Sequence, residues 1–238
     1  MVIYQFTLAR IIQVYVGFGS IAVFFLFLAY KTLKQEKKKL NLFFSFFYLF
    51  TAFGLILTFI YAPITIPEVA TMLHYIVVYF VIFSSIFLLV FILTFLKTEE
   101  VFGTNKQLTL IIIFALLTSV IFFIPDGIEI NESTGWNPHW SWLLFYYVFI
   151  LLTFIFYLPS IFYSIKIYHK FEDDLLKKKW KFFIIGISEL IIVELGTFLI
   201  HAINNPALRT IFAPISLILS VSGAYLLYYG YAKKFKPK

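Results

Sequence analysis

The sequence predicts an all-α polytopic membrane protein, a bundle of seven transmembrane helices with its N-terminus outside and its C-terminus inside. Three observations carry that prediction. Of 238 residues, 62% are hydrophobic and 13% charged, whereas ordinary globular chains are roughly half apolar and about a quarter charged. The apolar residues gather into seven runs, and a helix of about 20 apolar residues crosses a hydrocarbon layer about 30 Å thick. The basic residues are confined almost wholly to alternate connections between the runs, the pattern that fixes orientation in a membrane.

The runs extend from Ile11 to Tyr30, Leu40 to Ala62, Ala70 to Leu96, Leu108 to Ile124, Leu143 to Ile165, Phe183 to Ile203 and Ile211 to Tyr231, and form a single domain over 1–238. None sustains an alternation of period two, and a helix satisfies its own backbone groups in lipid, so helices are expected rather than a barrel. Pro63 and Pro67 end the second run and begin the third, and Asn204-Asn205-Pro206 separates the sixth from the seventh, as tight turns.

With the N-terminus outside, all 17 lysines fall on the inner side, including Lys31 to Lys39, Lys97, Lys106, Lys166 to Lys181 and Lys233 to Lys238, while Arg10 and Arg209 fall outside with Glu68, Asp126, Glu129 and Glu132. The net charge of +7 is therefore explained by topology and by anionic lipid headgroups at the inner lysine clusters, and nucleic acid is not expected as a partner. The run Phe171 to Lys181 mixes acids and lysines around Leu175, Leu176 and Trp180, and reads as an interfacial extension of the fifth and sixth helices.

Ionisable groups deep inside a span are costly and mark sites or helix contacts. Glu194, Thr197 and His201 in the sixth span follow i, i+3, i+7 spacing and share one stripe, with about 10 Å between Glu194 and His201 along the axis. Two readings are open: an outward ligand pocket or proton relay, or a carboxyl hydrogen-bonded to a neighbouring Tyr or Ser as packing glue. Glu189 lies about 140° round the helix and is expected to pair with, or snorkel towards, the lysine cluster. His74 and Tyr79 in the third span join the candidate ligand set. A His74–His201 metal or haem pair lacks a carboxylate at ligand spacing, so no metal is assigned. In the longest outer connection, Trp136, His139 and Trp140 read either as part of the interfacial aromatic belt or as a lid. Asn131-Glu132-Ser133 fits a glycosylation sequon.

The absence of cysteine excludes disulfides and thiolate chemistry. No Gly-x-Ser-x-Gly, His-Glu-x-x-His or P-loop sequence occurs, so no catalytic residue is assigned. No lysine lies between Thr210 and Ala232 to carry a retinal Schiff base, and no cofactor is expected. A shift of 142 residues superimposes Lys39 on Lys181 and Gly54 on Gly196, the mark of a parallel 3+1+3 repeat of the kind some transporters use.

The basic cluster Lys34-Gln35-Glu36-Lys37-Lys38-Lys39, the run from Leu175 to Gly186 and the ending Gly223 to Gly230 resemble the seven-helix membrane sensor region that precedes archaeal and bacterial histidine kinases. The resemblance implies a receptor-like protein of the cell membrane that senses a ligand or a membrane state. For a sequence that ends at Lys238, it implies output through a separate cytoplasmic partner or a homo-oligomer. A small-solute or ion transporter and a membrane-embedded lipid-modifying enzyme or assembly subunit are the alternatives.

Overall fold

The computed structural model describes residues 11–35, 39–98 and 100–231, and Arg10, Glu36, Lys37, Lys38, Glu99 and the lysines from Lys233 onward lie outside them. The fold is all-α, and seven of its helices are long and apolar enough to cross a membrane. Helix α1 joins a π-helical stretch, Ile12–Phe18, to an α-helix, Gly19–Gln35; α2 is Lys39–Tyr61 and α3 is Pro67–Leu96. They are followed by α4, Thr104–Phe123, and α5, Trp142–Lys170, then by α6, Asp174–Ile203, and α7, Pro206–Tyr231. Between α4 and α5 a small antiparallel hairpin pairs β1, Ile128–Glu129, with β2, His139–Trp140.

Four helices, α3, α4, α6 and α7, start three or more residues before their apolar runs, and in α6 and α7 a polar cap extends the helix beyond the greasy stretch. The Asp173 side chain accepts from the Leu176 N–H at 2.8 Å and so starts α6 at Asp174, making the lysine run Lys177 to Lys181 an extension of the sixth span within one continuous helix. Asn205 Oδ1 accepts from the N–H groups of Ala207 and Leu208 and starts α7 at Pro206. Pro67 opens α3, a position where its missing N–H has no helical partner to lose.

Helix α3 is the axis of the bundle. In its most apolar stretch 72% of residues are buried, against 22% in each of α4, α6 and α7; α2, α4 and α5 pack along it, and α1 packs on α2 and α7. Glycine sets a tight contact between α6 and α7. A β-carbon on Gly186 would stand 2.6 Å from the Gly223 carbonyl oxygen and 2.8 Å from the Leu227 nitrogen, and one on Gly230 would stand 2.7 Å from the β-carbon of Phe183. Only a hydrogen in place of a side chain lets these two backbones approach so closely.

The two ends of the bundle differ. At the lysine end, where α1 meets α2 and α5 meets α6, aromatic rings close the interior: Phe91 lies 4.6 Å from Tyr231, Phe95 4.8 Å from Trp180 and Trp180 4.5 Å from Phe183. Their polar atoms tie helices together, since Trp180 Nε1 donates to the Ser164 carbonyl and Tyr231 Oη to Asn41 Oδ1. At the other end sits the β1–β2 hairpin.

Replacing Gly186 by Ala is expected to cost about 1–3 kcal/mol by forcing α6 from α7, whereas Gly17→Ala, whose added β-carbon would have its nearest neighbour at 3.7 Å, leaves stability unchanged. Thermal unfolding in detergent checks this, and equal midpoints for the two variants would contradict the packing described.

Candidate functional site

At the hairpin end the sequence-predicted histidines are brought together. His74 on α3 and His201 on α6 stand 5.9 Å apart between ring centroids, edge to face. Trp140, delivered by β2, lies in contact with both and is fully buried. Its indole is near-parallel to the rings of His201, at 5.9 Å and 24°, and Phe198, at 4.7 Å and 23°. The hairpin can seat it because Gly127 passes under Tyr75, where a β-carbon would lie 2.5 Å from the phenolic oxygen. The strand register Ile128 to Trp140 and the Ser141 N–H bond to the Gly127 carbonyl then fix the position of the ring.

Hydrogen bonding sets the tautomer of His74. Trp140 Nε1 is only a donor and points at His74 Nε2 from 3.3 Å, so that nitrogen accepts. The proton therefore sits on Nδ1, which lies 2.9 Å from the Tyr61 hydroxyl and donates to it. With both nitrogens engaged, His74 has no lone pair to offer a metal, and among the described residues no group of three or more ligating side chains gathers.

The ring of His201 is placed differently. The Pro138 carbonyl lies beside it, and its Nδ1 is buried with no hydrogen-bond partner. The same Pro138 carbonyl accepts from Arg209 at 2.8 Å, and Arg209 also donates to Asn204 Oδ1 at 2.7 Å, so the start of α7, the end of α6 and the hairpin meet at one point.

Deeper in the bundle, Glu194 Oε2 accepts from the Tyr157 hydroxyl of α5 at 3.1 Å, and its Oε1 is buried without a partner. Tyr157 ends the π-helical stretch Thr153–Tyr157 within α5. The wider turn follows from Pro159, which lacks an N–H and whose ring crowds the carbonyl four residues back, so the helix passes through i→i+5 bonding before it. Thr197, between Glu194 and His201, donates to the Val193 carbonyl at 2.7 Å.

Other predicted residues are placed elsewhere. Tyr79 stacks on Phe83 and meets Phe122, so it does not join the histidines. His139 sits 3.9 Å from Glu129 across the hairpin. Trp136 is 9% exposed in a left-handed backbone conformation, φ 59°, and lines an open hollow of about 740 Å³ with Thr65, Pro67, Asn131, Glu132 and Ser133. Neither Glu194 nor His201 is among the residues lining that hollow. The expectation for Glu189 is corrected: its carboxylate accepts from Ser222 on α7 at 2.6 Å, and Lys181 lies about 12 Å away along the helix, too far to compete with a hydroxyl one groove away. Sequence reasoning missed Tyr61, Tyr157 and Arg209, whose only signals were a proline two residues after Tyr157 and a lone arginine at a span end.

Trp140→Phe keeps a ring in place but leaves His74 Nε2 without its donor, which is expected to cost about 1–3 kcal/mol. The same substitution costs markedly less once His74 is replaced by Leu, so a double-mutant cycle on thermal unfolding isolates the bond; additive effects would contradict it. No protein family matches this chain, and searches of curated proteins and of solved structures return no match.

Proposed function

We propose that the chain is a receptor-like integral protein of the cell membrane, with the hairpin end outside and the lysine end inside, that binds a ligand beneath Trp140 and signals through a separate cytoplasmic partner. The observation that carries the reading is the seating of Trp140. One side chain from the outer hairpin touches the central helix through His74 and α6 through His201, so a ligand that displaces it acts on both helices at once. A two-position element biased by ligand contacts is what such a signal requires.

The charge distribution supports the orientation, because the lysines among the described residues sit at the end opposite the hairpin and cytoplasmic connections are enriched in Lys and Arg. The aromatic closure at the lysine end supports a receptor over a transporter, whose midplane site needs broken helices open in turn to either side. The resemblance to the membrane sensor region of histidine kinases agrees with this reading. The ligand is a polar hydrogen-bonding molecule, an amine or a polyol, because two buried atoms on the α6 stripe, His201 Nδ1 and Glu194 Oε1, are left without partners.

A thermal-shift screen of amines and polyols on the purified chain tests the reading. A ligand is expected to raise the unfolding midpoint of the parent chain and to lose its effect on His201→Ala and Glu194→Ala, with Glu194→Gln intermediate because the amide oxygen still accepts from Tyr157. Stabilisation that survives both alanine variants would place the site elsewhere.

A further inference from the structure

Among the described residues, four buried side-chain polar atoms without partners gather on two neighbouring helices, while Thr118 Oγ1 on α4 lies apart from them. His201 Nδ1 and Glu194 Oε1 belong to α6, and Ser160 Oγ and Ser164 Oγ belong to α5. Glu194 is hydrogen-bonded to Tyr157, which shows that these faces of the two helices meet. The Trp180 bond to the Ser164 carbonyl shows that they still meet near the lysine end. Tyr157, Ser160 and Ser164 follow i, i+3, i+7 spacing and so share a stripe on α5, and Ser160 and Ser164 are fully buried. The combined order along the seam is His201, Thr197, Glu194 with Tyr157, Ser160, Ser164. Neighbours within each helix are three or four residues apart, about 4.5 to 6 Å along the axis, and one bridging water spans a gap of that size.

Leaving such atoms unpaired in an apolar interior costs about 1–3 kcal/mol each, and a packing role asks for none of them, since Ser160 and Ser164 as Ala would fill the same seam. We propose that the α5–α6 seam is a proton path joining the two ends of the bundle, with Glu194 as its central carrier. A proton enters from water beside His201 and Thr197. Glu194 takes it up as a neutral carboxyl and hands it on through Tyr157, each hydroxyl releasing its own proton as it accepts another. Ser160 and Ser164 complete the relay, and one proton leaves to water at the lysine end for each that entered, with no bonds but O–H and N–H made or broken. Arg209 flanks the entrance, and Lys97, 5.7 Å over the Tyr163 ring, flanks the exit. Fixed positive charges at both ends and a single carboxyl between them repel hydrated metal cations, whereas a proton passes by hopping without entering as an ion. This activity does not depend on the receptor reading, and either can fail alone.

The test uses the full chain in liposomes of neutral lipid loaded with a pH-sensitive dye, with proton entry driven by a valinomycin-clamped potassium potential. The parent chain is expected to acidify the lumen faster than protein-free vesicles do. Glu194→Gln is expected to lose that excess rate entirely and the Ser160→Ala/Ser164→Ala pair most of it, while Glu189→Gln, whose carboxyl faces α7, keeps it. Circular dichroism confirms that each variant is folded. A folded parent chain no faster than empty vesicles, or a Glu194→Gln variant that conducts like the parent, would overturn the proposal, and neither result bears on ligand stabilisation.

Discussion

Among the described residues, most buried polar atoms find their partners within this apolar bundle, and that constraint governs the rest of the structure. Seven helices of this apolarity offer few such partners, so the backbone closes its own hydrogen bonds and hydroxyl side chains turn back on their helices, as Thr32, Thr51 and Ser188 do towards carbonyls four residues earlier. The polar groups that reach across helices are correspondingly few, and they determine which helices are held in register. Trp140 to His74 to Tyr61 ties the hairpin to α3 and α2, Tyr157 to Glu194 ties α5 to α6, and Ser222 to Glu189 ties α6 to α7.

Helix α6 is where these ties converge. Its glycine face admits α7 at backbone contact, its Glu189 faces the same neighbour, and its opposite stripe presents Glu194 to α5 and His201 to the hairpin. The approach at Gly186 and Gly223 limits how far α6 can move against α7, which is the coupling that the proposed receptor reading requires. The proposed ligand site and the proposed proton path share His201 and Glu194, and the path alone continues to Ser160 and Ser164 on α5.

Much of this was legible before any coordinates. The seven apolar runs gave the seven helices, because length and hydropathy are local properties. The stripe of Glu194, Thr197 and His201 followed from periodicity, and so did the separation of Glu189 onto another face. Helix starts fall earlier than the apolar runs at Ala70, Leu108, Phe183 and Ile211, because hydropathy discounts polar first turns such as those that Asp173 and Asn205 cap. The partner of Glu189 was misread because a lysine cluster on the same helix is visible in sequence, whereas Ser222, 33 residues away, is brought near only by packing. The pairing of His74 with His201 was legible, but the seating of Trp140 against both was out of reach, since it depends on a two-residue strand register in the hairpin.

The central claim is that this polar economy exists because the helices are threaded through a bilayer, hairpin outside and lysines inside. The natural chain has no cysteine, so single cysteines introduced in place of Ser133 in the hairpin connection and Leu176 at the start of α6 report position without background. In right-side-out vesicles a membrane-impermeant maleimide is predicted to label the first and not the second, and in inside-out vesicles the second and not the first. Labelling of both cysteines from one side of sealed vesicles would contradict the account.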